Sequence, residues 1–359
     1  MIHDVAVLGA TVAGLTAART LARAGFDVVV LDPNLEHASA AIGHGVAAAG
    51  HASTVVEMQA AYGEGVAIEH IVRNLRGTDF IRSVLSEADL TGRELGFVDG
   101  SMGDAPMAEL LAVSHTFGKA GAEIDISQGT LNSQAFVVDP LSYAQALRDQ
   151  AVASGAQVVH GVTVTHLTRK EGTTGVAFRS NVAWASDPGA ILAVAVVDTI
   201  GVSPWGTLAK FASAQWVPTV KARLANPIRH VELRTDREAW LVRPDGDEHL
   251  VVGQKCSADT IAGTMAALIE ELEADGSEVL ARGKLAIDPS DHGRPIVGPS
   301  GIPGGYFARG NGRGEMMNGT ASGLWLAETL IGHRSEGKAL PLNRRVRAQA
   351  RTWLLQHRR

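Results

Sequence analysis

The segment from Asp4 to Pro33 constrains the fold more than any other part of the chain, because it has the pattern of one βαβ unit. It opens with Val5–Leu8, an apolar run of the length expected for a strand buried on both faces. A turn bounded by glycines, Gly9–Gly14, leads into a helical pattern, and a second strand pattern, Phe26–Leu31, ends at Asp32. The unit predicts two parallel strands joined by a helix, and therefore an α/β fold.

The turn of this unit has the glycine spacing of a dinucleotide site. Gly9 allows the tight turn, Gly14 lets the helix approach the strand, and Asp32 follows Gly9 by 23 residues, near the usual spacing for a carboxylate on a ribose hydroxyl. Thr11 stands where the second glycine is expected. Its side chain is compatible with a slightly shifted pyrophosphate, or its hydroxyl donates to that group. The alternative is a βαβ unit without a nucleotide, but the flanking strand, helix and acid favour a dinucleotide.

Composition excludes several function classes. A chain of 359 residues is long enough for two domains. The net charge of −6 argues against nucleic acid as a partner, since no basic field collects phosphates. No apolar run reaches the roughly 18–20 residues that span a membrane, and the first strand begins too early for a signal peptide. We therefore expect a cytoplasmic protein. The single cysteine, Cys256, excludes a disulfide framework, and no metal site is predicted.

Further along the chain, helical and strand patterns alternate in blocks. Ala190–Val197 is another apolar run and predicts a return to the nucleotide-binding sheet. Short alternating strands between Trp216 and Gly253 predict an antiparallel sheet. Helices are predicted within 54–90, over Pro140–Ser154, over Ile261–Glu273 and over Gly319–Ile331.

Four separated segments together resemble the FAD-dependent D-amino-acid oxidase superfamily, which includes glycine oxidase and sarcosine oxidase. They occur in the family's order and cover nearly the whole chain: GATVAG…DP, AFVVDPLSYAQALRDQAVASGAQVVHGVTVTHL, AILAVAVVDTIGVSPW and RPIVGPSGIPGGYFARGNGRGEMMNGTASGLWLAETLIG. The resemblance implies a Rossmann-like FAD-binding domain assembled from 1–53, 140–212 and 283–359. The substrate domain, with an antiparallel sheet, would comprise 54–139 and 213–282.

The resemblance also implies which residues contact FAD. The glycines near the C-terminus open a helix whose N-terminus would stabilise negative charge on the reduced flavin. The implied contacts are Gly9, Thr11, Gly14 and Gly201 at the pyrophosphate, Asp32 at the ribose, Val164 at adenine through its backbone, Ser39, Ala40, Gly43 and His44 along the flavin, and Gly310, Gly312 and Gly314 at its pyrimidine.

One departure from the family concerns the substrate carboxylate. Amino-acid-oxidising relatives hold it with an arginine in an Arg–Pro pair, and the aligned pair here is Ile287-Asp288. Arg294 lies on the other side of the turn. A buried carboxylate without this partner would lose about 1.5–3 kcal/mol or more. The oxygen-activating lysine of sarcosine-type oxidases aligns near Val251, and Lys255 is offset from it. These differences predict a substrate other than a simple free amino acid.

The remaining candidates would surround the flavin and the substrate. Asn311 stands where relatives often carry histidine, and Arg313 lies beside the C-terminal glycines. His44 is expected near the flavin, as a hydrogen-bonding residue or a covalent attachment. These three are the catalytic candidates. Residues on the predicted substrate sheet that would line the pocket are Trp240, Arg243 and His249.

The predicted activity is FAD-dependent oxidation of a C–N bond, in an amine or imine, or of a neighbouring C–H bond, by hydride transfer to flavin N5. Oxygen or another carrier would accept the electrons. The Ala-, Gly- and Arg-rich, Lys-poor composition leads us to hypothesise a role in specialised-metabolite biosynthesis. Two alternatives remain open. One is an FAD-dependent monooxygenase, although the Gly-Asp-Ala segment usual in such enzymes is missing from RGNGRGEM. The other is a non-catalytic flavin-binding subunit of a larger oxidase.

Overall fold

The apolar runs of the sequence form two β-sheets, which we describe from a computed structural model of the chain. The structure describes residues 2–34, 43–170, 172–180, 188–200, 215–235, 237–288, 294–300 and 303–335. The mixed α/β architecture confirms the predicted fold class, a Rossmann-like domain with a second domain built on another sheet.

The first sheet contains the N-terminal βαβ unit. Within the described ranges eight strands belong to it, six of them in the order β16-β17-β10-β1-β2-β7, with β9 on β10 and β8 on β9. β1 pairs in parallel with both β10 and β2, as the apolar runs predict. The strands are β1 (Ile2–Leu8), β2 (Val28–Leu31), β7 (Gln157–Val159), β8 (Val162–Lys170), β9 (Thr173–Ser180), β10 (Pro188–Asp198), β16 (Ile296–Pro299) and β17 (Gly305–Arg309).

Both faces of this sheet are buried, which explains the continuous apolar pattern of β1. Val5 and Val7 pack against the helices, whereas Ala6 and Leu8 pack on the opposite face with residues of β8 and β9. A strand alternates its side chains between faces, so both sets must be apolar when both faces are covered. The helices on the first face are α1 (Val12–Arg23), α5 (Pro140–Ala153) and α7 (Thr320–Ser335).

The second sheet supports the predicted substrate side. Within the described ranges nine strands belong to it, in the order β15-β11-β14-β13-β12-β4-β6-β3, with β5 on β6. Its pairs are antiparallel, as predicted for the strands between Trp216 and Gly253, except that of β12 with β4, which is parallel. The strands are β3 (Val46–Ala48), β4 (Arg93–Asp99), β5 (Asp125–Ser127), β6 (Thr130–Val137), β11 (Gln215–Arg223), β12 (Val231–Leu233), β13 (Ala239–Asp245), β14 (Glu248–Gly253) and β15 (Glu278–Ile287).

Four more helices accompany the second sheet in the described residues. The helical pattern over 54–90 forms two helices. Gly63, with a φ of +89°, ends the first helix and separates it from the second. The helices are α2 (Ala52–Tyr62), α3 (Glu64–Glu87), α4 (Met107–Lys119) and α6 (Ile261–Ala274). The C-terminal helix also starts differently from the prediction, since a 3-10 turn (Gly312–Gly314) and a π turn (Glu315–Gly319) precede α7.

Strand pairing differs from the predicted domain limits at two places. β3 falls within 1–53 but hydrogen-bonds to β6 of the second sheet. β15 continues to Ile287, past the expected limit at 282, because its last residues still pair with β11. The division into FAD-binding and substrate domains stays a proposal.

The close crossing of α1 and α7 depends on a missing side chain. A Cβ on Gly323 would lie 2.4 Å from the carbonyl oxygen of Ala13 and 2.7 Å from Cβ of Thr16. We therefore expect Gly323→Ala to lower the free energy of unfolding by about 1–3 kcal/mol, measured by urea denaturation, because the two helices must separate.

The matched control is Gly332→Ala in the same helix, where an added Cβ meets nothing within 4 Å. This change should leave stability unchanged or raise it by about 0.5–1 kcal/mol, since alanine is the better helix former. Equal effects of the two substitutions would contradict the close crossing.

Candidate active site between the two sheets

The turn after β1 is built by backbone geometry. Gly9 has a φ of +96°, and a Cβ on Gly14 would lie 2.1 Å from the carbonyl oxygen of Gly9. Thr11 caps α1, because its Oγ1 accepts from the N–H of Gly14 at 3.0 Å. The Thr11 hydroxyl donates to Oγ1 of Thr199 at 2.9 Å. This hydrogen bond links the turn to the end of β10, and the role of Thr11 at the pyrophosphate stays a prediction.

Asp32 lies at the end of β2 and is fully buried. One carboxylate oxygen accepts from the N–H of Ala10 at 3.3 Å, whereas Oδ2 has no hydrogen-bond partner among the described residues. Nδ1 of His160 lies 3.4 Å from Oδ2 without forming a hydrogen bond. Burial raises the pKa of Asp32, opposed by the Ala10 N–H. Val164 is close by in the fold, since Val162, two residues before it, donates to the Asp32 carbonyl.

The segment from Gly43 to His51 connects the first sheet to the second. His44 is buried, and neither of its ring nitrogens has a hydrogen-bond partner among the described residues. Burial lowers the pKa of His44 to about 3, so its ring is neutral at physiological pH. Its carbonyl accepts from Nε of Arg243 at 2.8 Å. His44 therefore places a neutral imidazole in the interior of the protein.

The C-terminal glycines form a turn that Asp288 organises. Asp288 accepts both Nε, at 2.9 Å, and Nη2, at 2.6 Å, of Arg309, together with the N–H of Gly310. Its carbonyl accepts from the N–H of Gly312 at 3.0 Å. Gly310 and Gly312 have φ values of +73° and +59°, which explains the glycines. Asp288 thus fixes the path of the turn through charge-assisted hydrogen bonds.

Asn311 and Glu315 follow this turn and are buried. The carbonyl of Asn311 accepts from Nδ2 of Asn318 at 2.8 Å, and its Oδ1 accepts from the Ser322 hydroxyl at 3.1 Å. Burial raises the pKa of Glu315 well above its ordinary value. A Cβ on Gly43 would lie 3.3 Å from Cβ of Glu315, so the His44 segment and the C-terminal segment touch.

A cavity of about 440 Å³ lies where the C-terminal turn faces the second sheet. One wall is formed by residues 311–314 and 317–318, and Leu233, Thr235 and Trp240 belong to the other. Further lining comes from the start of α2 and from His51 and His70. The cavity therefore joins the predicted flavin segment to the predicted substrate sheet, as two-domain ligand sites commonly do.

Trp240 is the centre of an aromatic and cationic cluster in this wall. The guanidinium carbon of Arg313 lies 4.2 Å from its ring centroid. The ring of His51 meets the Trp240 ring edge-on at 5.4 Å between centroids, and the His44 ring lies at 5.8 Å. Burial lowers the pKa of His51, with Asp99 opposing this effect. The sequence candidates Asn311, Arg313, His44 and Trp240 are therefore brought together.

Two predicted pocket residues lie elsewhere. Arg243 is not among the cavity-lining residues, because its guanidinium turns to the His44 carbonyl. His249 pairs with Pro244 beside the β13–β14 turn, roughly 13 Å along the strand from Trp240. Its Nε2 is 3.0 Å from the carbonyl of Ile228. These placements correct the prediction that both line the substrate pocket. His44 also lies behind the cavity wall rather than in it.

Three predicted flavin contacts, Ser39, Ala40 and Gly201, lie outside the described residues. Arg294 lines a separate small pocket and stacks on Tyr62 at 4.9 Å. Lys255 does line the cavity, although its offset from the family position left its direction open. Sequence reasoning missed Gln254, His70 and the turn-fixing role of Asp288. The lack of an arginine in the aligned pair Ile287-Asp288 was the available signal for the last of these.

Comparisons with known proteins identify the family. A model of the FAD dependent oxidoreductase family, DAO, matches residues 4–329. The chain belongs to the DAO family. This membership confirms the resemblance drawn from the sequence, the oxidoreductase class and FAD as the cofactor. A search of curated proteins finds no match.

Solved structures of similar fold come from several organisms. Glycine oxidase from Geobacillus kaustophilus is 14% identical with a TM-score of 0.67, covering 92% of this chain and 95% of that one. L-proline dehydrogenase from P. horikoshii is 14% identical with a TM-score of 0.68, covering 95% of each chain. Iminodiacetate oxidase from Chelativorans sp. BNC1 is 18% identical with a TM-score of 0.63, covering 91% and 95%. At these identities the likeness establishes the fold.

The residues of this DAO-family chain fit FAD at both ends of the expected site. At the adenosine end, Oδ2 of Asp32 has no hydrogen-bond partner among the described residues and would accept from a ribose hydroxyl. At the flavin end, the C-terminal turn at Gly310 and Gly312 would approach the ring with backbone N–H groups, as the family resemblance implies. The α1 N-terminus, where only glycine fits at Gly9 and Gly14, suits a pyrophosphate.

No helix in the described ranges is long and apolar enough to cross a membrane.

We expect Asp32→Asn to weaken FAD binding about 10- to 100-fold, measured by titration of the flavin-free protein with FAD. The amide keeps an oxygen for the Ala10 N–H but replaces Oδ2 by a donor, so a charged hydrogen bond of about 1.5–3 kcal/mol is lost. The control is Asp27→Asn on the same βαβ unit, where the half-exposed carboxylate pairs with His3. Equal FAD affinity in wild type and Asp32→Asn would rule out the ribose contact.

The buried histidines predict acid-dependent stability. Burial lowers the pKa of both His44 and His70 from 6.5 to about 3. The unfolded chain therefore takes up protons below about pH 6.5 that the folded chain refuses, and stability falls as pH decreases from 6.5 towards 3. The slope is up to about 1.4 kcal/mol per pH unit for each histidine.

The measurement is urea unfolding of the FAD-saturated protein at a series of pH values. His44→Phe keeps an aromatic ring but removes one titrating group, so its stability should fall less steeply with acid than that of wild type. An identical slope in both proteins would show that His44 is not held neutral.

Proposed function

We propose that this protein oxidises a C–N bond, in an amine or imine, or an adjacent C–H bond of a small molecule. The observation that carries the proposal is the cavity between the C-terminal turn and the second sheet, lined by Asn311, Arg313 and Trp240. FAD supplies the hydride acceptor in such a reaction, and the protein's contribution is to align the donor C–H and exclude water. Oxygen or another carrier would take the electrons.

The similar structures support an amine substrate. They are named for glycine, iminodiacetate and L-proline, which are small molecules that carry an amine nitrogen and a carboxylate. The cavity wall offers hydrogen-bonding side chains, Gln254 and Thr235, next to the apolar faces of Trp240 and Leu233. This mixture suits a small polar molecule with an apolar part.

The pair Ile287-Asp288 separates this protein from enzymes that bind a free amino acid through the arginine of an Arg–Pro pair at these positions. Asp288 lines the cavity, but its carboxylate is engaged by Arg309 and Gly310. A substrate carboxylate at this point would meet a like charge rather than a guanidinium. We therefore propose a substrate that is not bound in that way, such as a substituted amine or an intermediate of specialised metabolism.

The test is anaerobic mixing of FAD-loaded protein with a panel of primary, secondary and cyclic amines, each paired with the alcohol of the same skeleton. We expect at least one amine, and not its alcohol, to bleach the visible flavin absorbance. Readmission of air then separates an oxidase, in which colour returns rapidly, from a dehydrogenase.

Two results would overturn this function. NADPH consumption stimulated by the substrate, with oxygen incorporated into the product, would indicate the monooxygenase. A flavin that no amine in the panel bleaches, in protein that binds FAD tightly, would indicate the non-catalytic subunit.

A further inference from the structure

Among the described residues two histidines, His51 and His70, line the cavity, and their ring nitrogens have different surroundings. Nε2 of His70 lies 3.1 Å from Nδ2 of Asn74, which also donates to the carbonyl of Ala49 at 3.2 Å. An amide nitrogen only donates, so Nε2 of His70 accepts and the neutral ring carries its proton on Nδ1. The basic nitrogen of His70 is therefore already engaged by the protein.

His51 is positioned by aromatic neighbours. It precedes α2 as the N-cap residue, but its side chain makes no capping hydrogen bond to that helix. Between ring centroids, the imidazole lies 5.4 Å from Trp240, which it meets edge-on, and 6.1 Å from Phe97. Ring contacts of this kind hold the imidazole in place without using its nitrogens as hydrogen-bond partners.

A buried carboxylate lies next to His51. Asp99, at the end of β4, accepts from the N–H of Ala52, the residue after His51, at 2.6 Å. Burial lowers the pKa of His51, and the Asp99 charge opposes this effect because it favours the protonated ring. The charged groups that act on His44 and His70 are other histidines and arginines, and burial lowers the pKa of both rings to about 3. Of these three rings, His51 is the one that a carboxylate helps to accept a proton.

The proposed reaction needs a group that takes a proton from the substrate. An alkylamine keeps its proton up to about pH 10, as the lysine side chain does, and an ammonium nitrogen has no lone pair to assist the departure of a hydride from the neighbouring carbon. Burial lowers the pKa of Arg313 only to about 10, so its charge persists at the cavity wall and disfavours a second cation there. A neutral amine in the cavity therefore requires a proton acceptor.

We propose that His51, beside the Asp99 carboxylate, is the catalytic base that accepts the proton of a substrate ammonium group in the cavity. The substrate N–H bond breaks and a ring N–H bond forms, so the positive charge moves to His51 while the lone pair stays on the substrate nitrogen. The hydride then leaves the adjacent carbon for FAD, which oxidises the amine to an iminium and reduces the cofactor. The inference rests on the proposed function and assigns a residue to its first step.

Other ionisable groups face His51 or the cavity and determine the controls. They are Asp99 on β4, His44, His70 on α3, Glu57 on α2, Lys255, Asp288 and Arg313. Asp288 is bound to Arg309, and Glu57 is exposed. His70 gives the matched control, because it is an imidazole of the same cavity whose acceptor nitrogen is occupied.

The test is the rate at which benzylamine, N-methylbenzylamine and pyrrolidine bleach the FAD-loaded protein without oxygen, from about pH 6 to about pH 10. His51→Gln should bleach about 100-fold more slowly than wild type near neutral pH and recover most of this loss at about pH 10, where the free amine needs no base. His70→Gln keeps His51, so its rate should be half-maximal at the same pH as that of wild type. The visible spectrum checks that each variant is saturated with FAD, and His51→Asn is the second variant if His51→Gln does not bind the cofactor.

An alkaline shift separates a lost base from a damaged fold, because a structural defect lowers the rate at every pH. The same pH dependence in His51→Gln and wild type would overturn the proposal, as would an alkaline shift confined to His70→Gln. In both cases an amine still bleaches the wild-type flavin, so the proposed function stands. If none of the amines bleaches wild type at any pH, the proposed function fails and the assignment of the base fails with it.

Discussion

The contact between the first and last helices is the constraint on which the site depends. At Gly323 and Gly319 the backbone of the C-terminal segment packs against Ala13 and Val12 at distances that leave no room for a Cβ or barely admit one. Such close packing positions two segments more than 300 residues apart in the chain to within the tolerance of a buried contact. The start of α1 and the C-terminal segment that follows the glycine turn therefore have a fixed relative position, as a single extended cofactor would require.

The ion pair between Asp288 and Arg309 fixes the C-terminal glycine turn of the site. The Asp288–Arg309 pair is largely buried, with side chains 15% and 11% exposed, and the Gly310 N–H adds a further donor. A buried ion pair of this kind contributes little net stability but strongly penalises any arrangement that breaks it. Its value here is positional, since glycines at positive φ would otherwise leave the turn with many accessible conformations.

Local patterns predicted the parts of the fold that local physics determines. The alternation of Val5 and Val7 with Ala6 and Leu8 required burial of both strand faces, and the structure has helices on one face and β8–β9 on the other. The glycine positions at Gly9 and Gly14 followed from backbone sterics alone. The family resemblance added the cofactor and the order of the segments, which periodicity cannot supply.

Long-range pairing accounts for what the sequence did not predict. Arg243 was expected in the pocket because it lies on the predicted substrate sheet, yet its partner is the carbonyl of His44, 199 residues away. The joining of β3 to β6 similarly depends on a contact between distant segments. The sequence around Arg243 does not indicate that its partner is the distant His44 carbonyl. Residue type and spacing therefore could not distinguish Arg243 from Arg313.

The difference between these two arginines follows from what satisfies their donors. Burial lowers the pKa of both, but Arg243 donates to two backbone carbonyls and lies 3.5 Å from the Asp245 carboxylate. Arg313 has a ring beneath it and a side-chain amide beside it, neither of which carries charge. Arg243, with a carboxylate and two carbonyls as partners, belongs to the architecture. Arg313 instead lies at the cavity wall with uncharged partners, so its charge acts on whatever occupies the cavity.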